Sequence, residues 1–430
     1  MPVASSVRER LGRLRVDLTP WRGSRDFRIL VVSGSVFFLG GMVGYVALPY
    51  QLYQITGSNF AVGAMGLVTI APLVVFGLYG GALADHVDRR KLLIGTGVAQ
   101  ALICATLLGN TLLASPRVWL IYVCGGLNAI ASSLQRPSRE ALLPRVVKHA
   151  EIPAAVALSS LTMQIGQLAG PALGGVLVGS VGVTWAFAVE LTGLVVATGL
   201  YFRLGSYKTS EHSTPPSLRA IGGGIVYAFR RKDLLATYLV DMVGMFLAMP
   251  IVLFPAFATE ILQQPKLLGL LYSAEAIGAM VASLTSGWAK HVHHQGRAVV
   301  LATMTWGAAV GVAGLAPNIW FAIAFFAVAG AADMVSVLFR SVIWNQTIPD
   351  EMRGRLAGIE MLGYSLGPLG GQARSGIVAD LTGVRTAIVS GGILCVAGVI
   401  GTAVWLREFW QYDSRTDEHA VRERELRTAS

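Results

Sequence analysis

The sequence contains few charged residues for its length. Only 13% of its 430 residues are Asp, Glu, Lys or Arg, whereas 54% are hydrophobic, and the mean hydropathy is +0.60. An ordinary soluble domain carries about 25% charged residues. The deficit therefore argues against a soluble globular protein and indicates a chain embedded in lipid.

Cysteine is also scarce. Cys104, Cys124 and Cys395 all fall inside apolar runs, and their odd number and spacing match no metal-binding pattern. We read them as buried packing residues and expect neither a metal site nor a cofactor. The sequence also lacks the zinc-protease pattern HExxH and the nucleotide-binding pattern GxxxxGK. An enzyme and an ATP-driven pump are therefore not expected.

Long apolar runs are abundant instead. About 20 apolar residues span a bilayer, and each span must be a helix because a helix satisfies its own backbone hydrogen bonds in hydrocarbon. We predict an all-α membrane protein with twelve transmembrane helices, at 29–50, 62–84, 92–113, 118–138, 155–179, 184–203, 234–257, 267–289, 298–315, 319–340, 358–379 and 386–406.

The longest polar stretch between spans divides the twelve helices six and six. Residues 204–233 contain Pro215-Pro216 and three consecutive glycines, which is typical of a linker. The predicted organisation is a basic N-terminal segment (1–28), a six-helix half (29–203), a linker (204–233), a second six-helix half (234–406) and a tail (407–430).

The distribution of basic residues predicts the orientation. If the N-terminus is cytoplasmic, all but four of the 34 lysines and arginines fall on cytoplasmic segments, the exceptions being Arg117, Lys266, Arg374 and Arg385. The positive-inside rule explains this asymmetry and the net charge of +10, so nucleic-acid binding is not required. We expect a multi-pass protein of the bacterial inner membrane with both termini in the cytoplasm.

The two halves share the spacing of a repeat. Ala84 and Ala289, which end the second and eighth spans, lie 205 residues apart, as do Pro144 and Pro349 after the fourth and tenth spans. Parallel six-helix repeats are one of the patterns of secondary transporters. The spacing therefore predicts two pseudo-symmetric halves.

Glycines line one face of the fifth span. The stretch GQLAGPALGG places Gly166, Gly170 and Gly174 four residues apart, with Pro171 and Gly175 beside them. The eleventh span repeats the pattern with Gly363, Gly367, Pro368 and Gly371. Residues four apart share a helix face, and small residues allow two membrane helices to approach closely. A generic tight crossing is the alternative, but two matching copies favour a motif for helix crossing.

These motifs resemble the major facilitator superfamily. GQLAGPALGG is similar to the pattern GxxxGPxxGG of its drug:proton antiporters, and residues 349–355 resemble a loop in the branch with the enterobactin exporter and macrolide efflux pumps. The resemblance covers residues 28–407. It implies two rocking halves, a small-molecule substrate and coupling to protons, in a protein that we expect to be a monomer.

The loop after the second span resembles the superfamily signature GxxxD(R/K)xGR(R/K). Gly81, Asp85, Arg89 and Arg90 match it, whereas His86 and Asp88 depart from it. The resemblance implies that Asp85 is a cytoplasmic latch that pairs with arginines and a helix N-terminus in one state of the transporter. A solvated charge at a helix end is the alternative.

Four acidic residues lie well inside predicted spans, away from the span ends, namely Glu190, Asp241, Glu275 and Asp333. A charge there costs roughly 2.5–3.5 kcal/mol and indicates a function. In the superfamily, spans 1, 4, 7 and 10 line the cavity, so Asp241 on span 7 and Asp333 on span 10 are the first candidates to carry protons. We place Asp241 ahead because Arg340 would hold Asp333 ionised. A structural ion pair is the alternative. Glu275 remains a candidate, and Glu190 reads as structural because span 6 is peripheral.

Two spans carry matching polar faces. Asn128, Ser132 and Gln135 share one face of span 4, and Asp333, Ser336 and Arg340 share one face of span 10. Subtracting 205 from Asp333 and Arg340 gives Asn128 and Gln135. The pattern predicts a central cavity lined by these residues, with Gln164 and Gln167 on span 5 as further candidates.

The function that we expect is proton-coupled efflux of hydrophobic or amphipathic small molecules, such as drugs, dyes, macrolides or a siderophore, by alternating access. An importer or a lipid mover of the same fold is the alternative, and a membrane receptor or scaffold without transport is a more distant one. His291, His293 and His294 cluster after the eighth span, and we interpret them as part of a solvated loop rather than as a metal site.

Overall fold

The computed structural model describes residues 17–205, 207, 227 and 231–429, with side chains except at 77–86, 350–355, 357–362, 364 and 426–429. All regular elements in this part of the chain are helices. The long ones are α1 (Arg25–Thr56), α2 (Asn59–His86), α3 (Arg89–Thr111), α4 (Val118–Leu142), α5 (Ile152–Ser180), α6 (Val183–Tyr201), α7 (Lys232–Ala248), α8 (Leu268–Leu284), α9 (Gln295–Gly314), α10 (Ile319–Thr347), α11 (Asp350–Thr382), α12 (Val384–Trp405) and α13 (Glu418–Ala429).

The helices α1 to α12 correspond one to one with the twelve predicted spans. Within the described residues, eleven helical segments are long and apolar enough to cross a membrane. The twelfth helix, α11, is 33 residues long and contains the predicted span 358–379. Large apolar side chains such as Leu284 (81% exposed) and Trp405 (70% exposed) cover the outside of the bundle, as expected of a surface that faces lipid.

The two sets of six helices pack in the same pattern. In the first half α1 packs against α5 and α6, and α4 packs against α2 and α3, while α3 also meets α6. In the second half α7 packs against α11 and α12, and α10 against α8 and α9, while α9 also meets α12. The fold is therefore built from two pseudo-symmetric halves, as the repeat spacing predicts.

Two helix pairs join the halves, α2 with α11 and α5 with α8. We call the face where α1 begins and α12 ends the terminal face, and the other the distal face. The predicted boundaries of the halves stay predictions. Of the predicted linker, residues 206, 208–226 and 228–230 lie outside the described residues, as do residues 1–16 of the N-terminal segment.

Helix α7 is interrupted where a single span 234–257 is predicted. The α-helix ends at Ala248, a 3-10 turn runs over Ile251–Leu253, and a π-helical turn covers Phe257–Ile261. Pro250 at the interruption has no N–H group to continue the helical ladder, and it restricts the conformation of Met249. The second half therefore has a broken helix at its distal face.

The two halves use the same turn before their last helix. Gly182 and Gly383 precede α6 and α12 with φ of 92° and 93°, which only glycine adopts without strain. Val183 and Val384 follow them and start the two helices. This shared turn aligns α6 with α12 at an offset of 201 residues.

The tail folds back onto the terminal face of the second half. The backbone of Phe409 lies so close to Gly296 that a side chain at that glycine would collide with it, and α13 packs against α10. Asp413 accepts hydrogen bonds from the side chain of Arg415 at 2.7 and 3.1 Å and lies 3.5 Å from His294. Residues 407–425 are therefore docked on α9 and α10.

Candidate functional site

A cavity of about 650 Å³ lies mainly within the first half. Its wall is largely apolar and aromatic, with Phe37, Phe38, Tyr45 and Phe187 among its residues. The second half contributes five residues, which are Ile251, Val252, Tyr272, Leu369 and Gln372. A cavity of this size and composition suits a small organic molecule.

A polar strip crosses this apolar wall. Asn128, Ser132 and Gln135 of α4 line the cavity, and the Gln100 side chain of α3 donates hydrogen bonds to Asn128 Oδ1 at 3.2 Å and to Ser132 Oγ at 3.0 Å. The sequence reasoning missed Gln100, although a lone glutamine inside an apolar span is a usable signal. The strip offers hydrogen-bonding groups to a bound molecule.

Of the two glutamines predicted on α5, Gln167 is a cavity residue, whereas Gln164 is exposed and lies outside the cavity lining. Gln372 of α11 is a further lining residue that the sequence reasoning missed. Its position depends on the packing of α11 against α2, which no local pattern reveals.

Two arginines lie at the end of the cavity nearest the terminal face. Arg139 packs against Gly34 of α1, and its guanidinium lies 3.4 Å from the sulfur of Met163. Arg136 is exposed and pairs with Glu140 at 3.0 Å. The cavity therefore carries positive charge at this end.

The charged residues predicted on α7 and α10 form a separate buried cluster. Arg340 Nη1 lies 2.6 Å from Asp241 Oδ1, and the two side chains are only 1% and 8% exposed. This pairing differs from the expected one, in which Arg340 neutralises Asp333. Asp333 lies close enough to interact electrostatically with both members of the pair.

None of the three predicted members of the α10 face lines the described cavity. Ser336 is buried and hydrogen-bonds Thr303 of α9 at 3.0 Å, while Arg340 reaches across to α7. The structure thus places the predicted α4 residues in the cavity wall and those of α10 outside it. The reason is that α10 turns its polar residues toward its own half.

Glu275 of α8 lies near both the buried cluster on α7 and α10 and the cavity of the first half. It is within electrostatic range of Asp333 on α10 and of Tyr45, a cavity residue of α1. Tyr45 also packs edge-to-face on Tyr272, with ring centroids 5.8 Å apart. An electrostatic link thus runs from the buried cluster of the second half to the cavity of the first.

Glu190 of α6 lines the cavity, although span 6 reads as peripheral. It packs so closely against Gly44 of α1 that a Cβ there would lie 2.2 Å from Glu190 Oε2. Among the described residues it is the acidic member of the cavity wall.

The glycine faces of α5 and α11 lie at helix crossings. Gly166, Gly170 and Gly174 face α1. A Cβ added at Gly174 would lie 3.0 Å from the carbonyl oxygen of Val43. In the second half, the corresponding face contacts α7, with Gly363 against Tyr238, Gly367 against Met242 and Gly371 against Met245. Pro171 and Pro368 lie inside their helices.

The halves meet most closely toward the distal face. A Cβ on Gly175 of α5 would lie 2.0 Å from the nitrogen of Gly269 at the start of α8, so these backbones touch. Tyr53 of α1 hydrogen-bonds Glu260 in the broken part of α7. These contacts close the molecule at the distal face.

Asp380, near the end of α11, completes this closure. Its carboxylate accepts hydrogen bonds from Ser58 Oγ at 2.6 Å, from Asn59 N at 2.8 Å and from Phe60 N at 3.0 Å. Asn59 begins α2, so an acid from one half caps a helix of the other, where the helix dipole favours negative charge. The sequence reasoning missed this residue.

At the terminal face, the described part of the latch signature ties helix ends together. Asp88 caps α3 by accepting a hydrogen bond from Arg90 N at 2.9 Å, which accounts for an aspartate at this position. Arg89 and Arg90 donate to the carbonyl oxygens of Ala141 and Phe202, at the ends of α4 and α6. The side chains at Gly81 and Asp85 lie outside the described residues.

Comparison with known proteins identifies a family and named relatives. The family model described as transmembrane secretion effector matches residues 17–429. The enterobactin exporter EntS of Citrobacter koseri is 29% identical over 371 residues, which cover 84% of this chain and 86% of the relative. The exporter of the same name from Escherichia coli is 28% identical over the same length.

Solved structures share the fold. The nucleoside transporter NupG superposes with a TM-score of 0.69 at 12% identity, covering 90% of this chain and 98% of NupG. A bacterial homologue of the lysosomal transporter Spinster, in an inward-facing conformation, gives 0.64 at 15% identity, covering 90% and 97%. At these identities the likeness shows the fold alone.

Proposed function

We propose that this chain, which belongs to the transmembrane secretion effector family of the major facilitator superfamily, exports an amphipathic small molecule of the siderophore class in exchange for protons. As a member of this family, it is a secondary transporter rather than an enzyme. The observation that carries the proposal is the amphipathic cavity between the helices of the first half. The named relatives are exporters of the siderophore enterobactin, and this similarity favours export over import or lipid movement.

The cavity supports a cargo with an apolar body and several polar groups. Aromatic and aliphatic side chains make up most of the wall, and the strip of Gln100, Asn128 and Ser132 crosses it. Polar groups placed this way fix the orientation of a ligand that the apolar wall desolvates. Gln167 and Gln372 extend the polar surface on the α5 and α11 sides.

Orientation in the membrane follows from charge. The terminal face carries the basic residues predicted to be cytoplasmic, including Arg89 and Arg90 at the start of α3. We place this face in the cytoplasm of a bacterial cell, in the inner membrane, with the protein acting as a monomer. The conformation described, with the distal face closed, is then a state that loads cargo from the cytoplasm.

In this proposal, the acidic residues of the second half take up and release the protons. Asp241 is held 2.6 Å from Arg340, whereas Asp333 and Glu275 form no ion pair among the described residues. Breaking a buried ion pair leaves its cation uncompensated, so a carboxyl group outside such a pair can change its charge at a lower cost. We therefore place Asp333 and Glu275 ahead of Asp241 as proton carriers, and the link through Tyr45 connects them with the cavity.

The experiment uses Escherichia coli cells that lack their own enterobactin exporter and produce this chain. Enterobactin in the medium is measured with and without a protonophore, for the wild type, Asp333→Asn and the empty vector. We expect secretion above the vector level, which the protonophore and the Asp333→Asn substitution both abolish at equal protein levels.

A matched control is Asp417→Asn, in the tail and away from the cavity, which we expect to secrete like the wild type. Secretion by the wild type no greater than that of the empty vector would overturn the siderophore cargo. Secretion that persists unchanged with the protonophore would overturn proton exchange while leaving export in place.

A further inference from the structure

Glu190 has no role in the transport scheme above, yet it occupies the cavity wall. It lies on α6, which reads as a peripheral helix, and it is partly accessible to the cavity rather than to lipid. Ionisable residues within the membrane are costly and mark functional sites by default. An acid in the cavity wall raises the question of which group its carboxyl contacts during transport.

Within the part of the chain that the structure describes, Glu190 forms no salt bridge. Its carboxylate packs against Gly44 of α1, and the thiol of Cys104 lies nearby. Arg136 and Arg139 lie near the end of α4 that is at the terminal face. A carboxyl group in such a place either takes up a proton or needs a cation to offset its desolvation, so a bound cation can take the place of the proton.

The fold itself does not require an acid at this position. The shared glycine turns align α6 with α12 at an offset of 201 residues, so Glu190 corresponds to Gly391. A Cβ at Gly391 would lie 2.8 Å from the carbonyl oxygen of Leu247 on α7, so the second half packs closely here without a carboxylate. In the first half, Gly44 leaves the space that the Glu190 side chain fills.

Aromatic rings line the same cavity as the carboxylate. Phe37, Phe38 and Phe187 line the same cavity, and ring faces attract organic cations. From this combination, we infer that Glu190 binds a protonated amine or other organic cation carried by the cargo. The inference rests on the proposed function and extends its substrate class, because it adds amphipathic cations to what the cavity accepts.

The distribution of charge gives such a cargo a direction. Glu190 lies seven residues from the distal start of α6, whereas Arg136 and Arg139 lie near the terminal end of α4. A bound molecule would place its cationic group toward the distal face and any anionic or acceptor groups toward the arginines. The cavity thus selects molecules with separated polar ends.

The test uses ethidium, a permanent cation, as the probe. Its binding to the purified full-length protein is followed by fluorescence, and its efflux from cells is followed beside enterobactin secretion. Glu190→Gln keeps the shape of the side chain and removes its charge. We expect about tenfold or more weaker ethidium binding, as for the loss of a charged contact, and a smaller fractional loss of enterobactin secretion.

A second variant moves the carboxylate without removing it. In Gly44→Ala the new Cβ would lie 2.2 Å from Glu190 Oε2, so the carboxylate must shift, and ethidium binding should weaken while the charge is retained. The matched controls are Gly95→Ala, where no atom lies within 4 Å of an added Cβ, and Glu408→Gln on the exposed tail. Both controls should bind ethidium like the wild type.

Ethidium binding by Glu190→Gln within twofold of the wild type would overturn the inference. So would a wild type that secretes enterobactin but neither binds nor exports ethidium, a result that leaves the proposed function intact. Equal loss of both cargoes in Glu190→Gln, at normal protein level, would also overturn it. A wild type that exports neither cargo would instead overturn the proposed function.

Discussion

At the scale of single residues, Asp241 and Arg340 show how burial changes the worth of a charge pair. Their charged groups lie 2.6 Å apart, and both side chains are almost fully buried. Arg136 and Glu140 lie 3.0 Å apart but are 75% and 59% exposed. Water screens the exposed pair, whereas removing one member of a buried pair leaves a charge in low dielectric.

We therefore predict strong coupling between Asp241 and Arg340. In a double-mutant cycle with Asp241→Asn and Arg340→Gln, the interaction free energy should be about 1–3 kcal/mol, a range found for residues that share one buried network. The measurement is the thermal unfolding of the detergent-solubilised protein.

The control is the same cycle with Arg136→Gln and Glu140→Gln, for which about 0–1 kcal/mol is expected. Additive effects of the two substitutions in the buried pair would show that the 2.6 Å contact contributes nothing to stability. The cycle is independent of transport, so it tests the structural role of Asp241 separately from proton exchange.

At the scale of helices, the contact between α5 and α8 sets how closely the halves approach. An alanine at Gly175 would place its Cβ 2.0 Å from the nitrogen of Gly269 and 2.2 Å from its Cα, and neither backbone atom can move aside alone. We predict that Gly175→Ala destabilises the conformation closed at the distal face by about 1–3 kcal/mol, the usual cost of overpacking.

The measurement is the distance between spin labels at Ala114 and Pro317, which lie in exposed distal loops of the two halves. Gly175→Ala should increase the population with the longer distance, whereas Gly95→Ala, in open space on α3, should leave the distribution unchanged. Identical distributions for the two variants would mean that the Gly175 contact does not control the opening.

The cap that α11 provides to α2 leads to a separate prediction. Asp380→Ala removes the acceptor for the first backbone N–H groups of α2, and loss of a helix cap costs about 0.5–2 kcal/mol. Because donor and acceptor belong to different halves, the cost falls on the conformation closed at the distal face. The same pair of spin labels should show a larger open population.

A matched control for the Asp380 variant is Asp417→Ala. Asp417 accepts a hydrogen bond from Ala420 N at 3.0 Å at the start of α13, so this change also removes a helix cap, but within the tail. The control should leave the distal distance unchanged. A shift of equal size in both variants would contradict the role of Asp380 as a contact between halves.

At the scale of the whole molecule, polar contacts hold the tail to the second half. Ser414 N donates to the carbonyl oxygen of His293 at 3.1 Å, and Arg297 Nε donates to that of Trp410 at 3.2 Å. Asp413, next to Ser414, is fixed within the tail. The Arg415 side chain and backbone N–H hydrogen-bond Asp413 and hold the pKa of its carboxyl well below its usual range. A lowered pKa means that this stabilisation is present above the ordinary value of about 3.9 and is lost as the pH falls further.

We predict that hydrogen exchange in residues 407–425, corrected for its intrinsic rate, stays constant from about pH 8 to 5, because Asp413 remains ionised there. Asp413→Asn should speed exchange in this segment at pH 7, with α1 to α6 unaffected. Unchanged exchange in the variant would show that the tail is held by its apolar contacts, such as those of buried Ala420 and Tyr412.

Several features follow from local patterns and were therefore predictable. The twelve helices follow from apolar length, because lipid leaves a backbone no other way to satisfy its hydrogen bonds. The position of Asn128, Ser132 and Gln135 on one side of α4 follows from helical periodicity. The repeat spacing predicts the two halves because duplicated segments pack in the same pattern.

Other features required the packed structure, because they depend on which helix lies opposite a side chain. The sequence determined that Arg340 has an acid within reach on its own helix, but the packing of α10 against α7 decided that it pairs with Asp241. Likewise, Glu190 reads as a peripheral acid, and only the approach of α6 to Gly44 of α1 placed it in the cavity wall. Periodicity specifies the face of a helix, whereas tertiary packing decides what that face meets.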